Sequence, residues 1–205
     1  WTKWFDYSRG MLGQLFTHSF YAISQLLYMG IPHSAGASGG IYHWKDNRDI
    51  PDVLHATFEY PDEGFTLMYS ASLGNSRQRG RVIMGRDGSM EVGSSVNLMI
   101  NADSEQFEEG IKKGIIKPNS NLLSFGPKSK NVDAVTSATE QYYASRGLTA
   151  TNVNGKMVDP THLHLKEWLD CIRYGGIPTT SIEKSFQECV AVQMAHTAYM
   201  EKRVV

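Results

Sequence analysis

GMLGQLFTHSFYAISQLLYMG, Gly10 to Gly30, is the stretch on which the reading of the fold turns. Leu12, Leu15, Phe16, Ile23, Leu26 and Leu27 recur at helical spacing, so Gly10–Met29 is expected to be one amphipathic helix. Gly30-Ile31-Pro32 is expected to end it. Its first turns also carry Gln14, Thr17, His18, Ser19 and Tyr21, with the histidine expected among the residues that face the interior. The plainer reading of His18 is a partly buried, hydrogen-bonded structural residue. The other is a proton-transfer group at the floor of a pocket, since imidazole titrates near neutral pH. Gln14 lies one turn earlier on the same face and can orient the ring or a substrate hydroxyl.

After that helix the period changes to two, from Ser34 to Gly93. In Leu54, Ala56, Phe58 and Tyr60 apolar residues alternate with His55, Thr57 and Glu59. Phe65, Leu67, Tyr69, Ala71 and Leu73 repeat the pattern, with Leu54, Phe58, Leu67 and Tyr69 read as core. Pro61-Asp62-Glu63-Gly64 reads as a tight connection and Asp87-Gly88 as a hairpin signal, so the sheet is expected to be antiparallel. A further strand is expected over Val96–Ile100. Residues from about Asn101 to Asp159 read as a long polar connection with one short helix near Thr136–Ser145. Asp159-Pro160 then opens a helix whose buried stripe is Leu165, Trp168, Leu169 and Ile172, ended by Gly175-Gly176. Thr180 to Glu183 reads as a capping box for a last helix running to about Lys202. Helix, strands, long loop and two helices give an α+β domain, an open, mostly antiparallel sheet with helices packed on one face.

Composition narrows the function. The chain has 205 residues, 41% hydrophobic and 20% charged, with a formal net charge of -1, which is globular and gives nucleic acid no electrostatic footprint. No apolar run is long enough to span a membrane. The two cysteines, Cys171 and Cys189, fall in expected helices and read as packed thiols, so no disulfide framework is expected. The opening WTKWFDYSRG has neither a start methionine nor a signal peptide, and the chain is expected to be part of a longer protein.

Familiar motifs fail one by one. SAGASGG, Ser34 to Gly40, lacks the spacings of a dinucleotide or phosphate loop, and a strand rather than a helix is expected to follow it. Its glycines read as structural, and the nucleophile-elbow context of strand, turn and helix is missing. His162 and His164 are two apart and point in different directions on a helix, so no metal is expected.

Three stretches in order resemble the C-terminal domain of the Gfo/Idh/MocA oxidoreductases: GMLGQLFTHSFYAI, SGGIYHWKDNRDIPDVLHATFEYPDEGFTLMYSASLGNS and VNGKMVDPTHLHLKEWLDCIRYGGIP. The resemblance covers nearly the whole chain. It implies that residues 1–205 form one substrate-binding and oligomerisation domain. The Rossmann domain that binds NAD or NADP, and the catalytic lysine of a Glu-Lys-Pro motif, would then lie upstream of Trp1. The family often has an Asp-x-x-x-His pair at the start of this helix. His18 matches the histidine and is the catalytic candidate, whereas Gln14 stands in the aspartate's place and Tyr21 where another acid is common. Neutral Gln14 cannot compensate an imidazolium. Tyr7, Arg9, Gln14, Tyr21, Trp44, Tyr143 and His162 are the candidate substrate contacts, with Lys45, Tyr142, Arg146 and His164 behind them. The plainer reading of each is a surface or strand-end residue.

The expected function is therefore the substrate half of an NAD(P)-dependent sugar or cyclitol dehydrogenase, inactive by itself. It is expected to assemble as a homodimer or homotetramer through the sheet, in a cytoplasmic or periplasmic setting left open. An NAD-dependent glycosidase working by transient oxidation, or a non-catalytic sugar-binding or assembly domain, are the alternatives on the same scaffold.

Overall fold

The computed structural model describes residues 1–77, 79–92, 96–125, 151–153 and 156–205. The chain divides into two compact units, Trp1–Arg77 with Gly176–Val205, and Gln78–Gly175.

The first unit is built on three antiparallel strands in the order β1-β2-β3, with β1 Ser34–Gly40, β2 Val53–Tyr60 and β3 Phe65–Ser72. The period-two reading holds residue by residue in β2: Leu54, Ala56, Phe58 and Tyr60 are buried, while His55, Thr57 and Glu59 are exposed. The expected turn is present, with the Gly64 amide donating to the Tyr60 carbonyl at 2.8 Å. SAGASGG is itself β1 rather than a loop before a strand. Small residues suit this position, because the last helix, α4 (Ile182–Glu201), packs on β1 through a stripe of buried Ala191, Ala195 and Ala198. Val205 covers the outer edge of β1, accepting from the Ala35 amide at 2.7 Å and donating to its carbonyl at 2.9 Å. A Cβ on Gly39 would stand 2.1 Å from the Val53 carbonyl oxygen. Gly39→Ala is therefore expected to cost ~1–3 kcal/mol, as overpacking that moves backbone does. Urea unfolding measures it, and a wild-type midpoint would refute it.

The opening helix packs on the same face of the sheet. It begins at Gly10, passes through a π-helical turn over Leu12–Phe16 and continues as α1, Thr17–Leu27. Phe16 and Phe20 enter the core, and Phe16 stacks on Phe58 at 4.8 Å between centroids and 3° between planes. Half of the expected stripe does not: Leu15, Leu26 and Leu27 are exposed. The π turn takes an extra residue into the turn, so residues before and after it no longer share the face that straight 3.6-residue counting assigns. The helix also stops earlier than expected, at Tyr28 in the left-handed conformation (φ 53°), before Gly30 is reached.

In the second unit β4 (Val82–Met84), β5 (Gly88–Val92), β6 (Val96–Ile100) and β7 (Asn121–Phe125) form an antiparallel sheet in chain order, and β8 (Thr151–Val153) pairs with β9 (Lys156–Val158). The hairpin at Asp87-Gly88 is present, whereas β7, β8, β9 and the short α2, Glu108–Lys112, fall inside what read as a polar connection. Each is only three to five residues long, too short for a period to stand out from a polar background. The helix expected near Thr136–Ser145 lies outside the described residues. The helix α3, Pro160–Tyr174, starts as expected: the Asp159 side chain accepts from the Thr161 amide at 2.7 Å, and Pro160 takes the first helical position. Its apolar stripe is not buried, with Leu165, Trp168, Leu169 and Ile172 between 39% and 63% exposed. Periodicity reports a stripe made for burial, and among the described residues of this unit nothing covers it. The N-cap of α4 is Ser181, one residue later than the capping-box reading. The α+β class and antiparallel pairing, with helices on one face of the first unit's sheet, are as the sequence implied.

Candidate functional site

Gly10 fixes where the polar segment begins. Its φ is +55°, and a Cβ there would lie 2.5 Å from Ile50 Cγ2, so only glycine lets the chain turn into the helix against Ile50. Tyr69 meets the entry from below, its hydroxyl donating to the Met11 carbonyl at 3.3 Å. Burial pushes that phenol up to about 12, so it stays a neutral donor. Thr17 Oγ1 donates back to the Gly13 carbonyl at 3.2 Å, closing the π turn directly before His18. π turns of this kind recur at functional sites because they aim a side chain that a regular helix would place elsewhere.

His18 is exposed, not turned to the interior as expected. A concavity lies along α3 in the other unit, and none of the predicted site residues lines it. Gln14 does not reach the imidazole: its Nε2 donates to Ser8 Oγ at 2.6 Å, and Ser8 Oγ also accepts from the Gly10 amide at 2.9 Å. Tyr21 is an anchor, its hydroxyl donating to the Thr179 carbonyl at 3.0 Å. Arg9 Nη1 donates to the Phe5 carbonyl at 2.9 Å, and Tyr7 is 70% exposed. The first unit thus brings Tyr7, Arg9, Gln14, His18 and Tyr21 into one polar stretch. His162 and His164 are exposed on the first two turns of α3 in the second unit. Tyr142, Tyr143 and Arg146 lie outside the described residues. Cys189, read as packed, is exposed on α4.

Trp44 belongs to a loop that the sequence reading underrated. Asp52 is fully buried and accepts three backbone N–H groups, from Tyr42 at 2.9 Å and from His43 and Trp44 at 2.8 Å each. Burial pushes its carboxyl up, but these amides and nearby Arg48 outweigh that and hold it below the ordinary value. Arg48 lies over the Trp44 ring at 4.6 Å and grips Asp46 with two bonds of 2.8 and 2.9 Å. Hydrogen bonds from Arg48 and then Lys3 hold the Asp46 carboxyl well below its usual range. Lys45 Nζ donates to the Ile41 carbonyl at 2.6 Å. The Trp44 face is therefore held in place by a cation–π contact and a rigid loop. Asp52 was legible only as a polar residue heading a strand after Pro51.

Two titratable groups of α4 also escaped the sequence reading. Glu188 shares the helical stripe of Ala191, Val192 and Ala195, which is the signal that could have found it. Burial raises its carboxyl, and the His18 charge opposes that. His196 packs edge-on against Phe5 at 4.9 Å. Burial, then the charge of Arg9, lowers its imidazole below the usual value. A neutral ring in the folded state contributes stability that is present above about pH 6.5 and is lost as pH falls through the lower folded value. Melting wild type and His196→Gln at pH 7.5 and 5.5 measures this. Wild type is expected to lose more Tm on acidification, and equal losses would refute the assignment.

Among the described residues no three of His, Cys, Asp and Glu converge, and no helix is long and apolar enough to cross a membrane. Nor do these residues fit a dinucleotide. The backbone of SAGASGG is in register with β2 over its whole length and makes no cradle at a helix start.

No family model and no curated protein matches the sequence. Solved structures do. The WlbA dehydrogenase of Bordetella pertussis, solved with NADH and UDP-GlcNAcA, matches 98% of this chain at TM-score 0.58 and 12% identity, over 51% of its own length. An oxidoreductase of Agrobacterium radiobacter, solved with NAD+, L-tartaric acid and magnesium, matches 96% at TM-score 0.56 and 13% identity, over 49% of its length. The aldose-aldose oxidoreductase of Caulobacter crescentus, solved with glycerol, matches 96% at TM-score 0.56 and 14% identity, over 47% of its length. The fold is thus shared with oxidoreductases of the Gfo/Idh/MocA type, as the sequence resemblance implied. The chain spans about half the length of the structures it matches.

Proposed function

We propose that this chain is the substrate-binding half of an NAD(P)-dependent oxidoreductase acting on a sugar or cyclitol, with the dinucleotide held by residues outside it. The observation that carries the reading is the match over nearly the whole chain to oxidoreductases twice its length, combined with an exposed imidazole directly after a π turn. The nicotinamide group, bound elsewhere, would supply hydride chemistry. On this chain His18 accepts or returns a hydroxyl proton at a ring nitrogen, Tyr7 and Arg9 offer polar contacts at the start of the same segment, and Trp44 presents a clamped aromatic face of the kind that stacks on a sugar ring. Assembly as a homodimer or homotetramer is proposed through the outer face of β2 and β3, where Met68 is exposed.

The test assays the gene's full-length product for dinucleotide reduction on a panel of monosaccharides and cyclitols. His18→Ala is expected to lower turnover by about 10²-fold or more. A product that binds no dinucleotide would end the oxidoreductase reading, and unchanged turnover in His18→Ala would end the histidine's role. One observation favours a second reading, a non-catalytic sugar-binding or assembly domain: Gln14 is spent on Ser8 rather than on the imidazole. That domain would bind sugar and oligomerise equally well with and without His18.

A further inference from the structure

The chain before Gly10 is held down on one side and bare on the other. The Lys3 carbonyl accepts from the amides of Asp49 at 3.2 Å and Ile50 at 3.3 Å, and the Lys3 ammonium pairs with Asp46 at 2.7 Å. The Phe5 amide donates to Asp49 Oδ1 at 2.8 Å. The Phe5 ring packs against α4, edge-on to His196 at 4.9 Å and tilted to Tyr199 at 6.5 Å. Two turns share Trp4: its amide donates to the Trp1 carbonyl at 3.3 Å, and the Tyr7 amide donates to the Trp4 carbonyl at 3.1 Å. Each such turn brings its end residues within about 7 Å of one another. Trp1, Trp4 and Tyr7 are therefore successive neighbours, and all three are exposed, at 73%, 39% and 70%. Exposed Thr2 and Asp6 add a hydroxyl and a carboxylate to the same segment.

A lone exposed ring needs no explanation, but three grouped on a braced segment do. Their exposed parts amount to roughly 300–450 Å² at the size of such side chains. A stable protein partner needs about 800 Å² on each side, so this patch by itself is too small for a second copy or another protein. It suits a ligand of a few rings. Tryptophan and tyrosine pair an apolar face with a polar end, and a sugar ring answers both with its C–H face and its hydroxyl rim. We infer that Trp1, Trp4 and Tyr7 form a platform for a neutral saccharide of two or more linked rings, with Thr2 and Asp6 meeting its hydroxyls. The Asp6 carboxylate repels an anionic sugar. Rings fixed before the ligand arrives lose little freedom on binding. The inference rests on the sugar reading above and deepens it, because it makes the substrate a glycoside or oligosaccharide rather than a free monosaccharide.

The test is nuclear magnetic resonance of the 205-residue protein titrated with cellotetraose, maltotetraose and glucose. One of the two tetrasaccharides is expected to shift the indole N–H resonances of Trp1 and Trp4 to saturation, with a Kd roughly tenfold or more below that of glucose, because further rings add stacked contact. Trp1→Ala and Trp4→Ala are each expected to weaken that binding about fivefold or more, while the other amide resonances of the first unit keep their positions. Trp4→Phe, which keeps a ring, is expected to retain most of the affinity. No saturable shift with either tetrasaccharide, or unchanged affinity in both alanine variants, would overturn the platform. So would a concentration-dependent dimer that both alanine variants abolish, since the rings would then be a contact between copies. Tetrasaccharide binding with no dinucleotide reduction by the full-length product would support the platform and overturn only the proposed function. Sugar-dependent reduction with no tetrasaccharide binding would do the reverse.

Discussion

Asp52→Ala is expected to destabilise the first unit by ~3–5 kcal/mol and to loosen the loop from Ile41 to Pro51. The reason is local. The carboxylate is fully buried and answers three backbone N–H groups in a row, and alanine would leave those donors without an acceptor. The backbone of Asp52 also spans two neighbours, its amide donating to the Gly40 carbonyl at 3.1 Å and its carbonyl accepting from Leu73 at 2.8 Å. The residue therefore joins β1, β2 and the end of β3. Asp52→Asn is expected to fall between, since its amide nitrogen would face an N–H that Oδ1 or Oδ2 now satisfies. The folded carboxyl lies below its ordinary value, so its contribution is present above about pH 3.9 and is lost as pH falls through the lower folded value. Chemical unfolding at pH 7 and pH 3 measures both effects. A loss under about 1 kcal/mol for Asp52→Ala at pH 7 would show that water reaches these amides.

Phe58→Ala is the second change of this size, with an expected cost of ~3–5 kcal/mol. Phe58 has no exposed surface and lies flat against Phe16, which also meets Phe20 and Tyr69. Its removal takes away transfer free energy and leaves a cavity framed by a sheet on one side and the π turn on the other, neither of which can collapse easily. The stacked pair adds a further contact energy of ~0.5–1.5 kcal/mol that alanine also loses. Because Phe16 lies two residues before His18, the same change is expected to disorder the π turn. Amide exchange of Phe16, Thr17 and His18 would then rise with the loss of stability. Protection there unchanged in Phe58→Ala would mean that the turn is held by Tyr69 and Gly10 instead.

The sequence by itself determined the elements whose signal is local. Alternation along Leu54–Tyr60 has the period of the pleat, and one buried face makes a register slip costly, so β2 and β3 were legible with their turn. Asp159-Pro160 and Gly175 are end signals that work through their own backbone, and α3 begins and ends as they dictate. Tertiary structure alone decided the rest. SAGASGG has no alternation to read, and it is a strand because Ala191, Ala195 and Ala198 of a helix about 150 residues away need a surface of small residues. The direction of His18 depends on a π turn, which shifts the angular count that periodicity assumes. Asp52 is an ordinary acid in the sequence. Its role comes from amides brought near it by chain that local spacing does not describe, because burial and hydrogen bonding act through space rather than along the backbone.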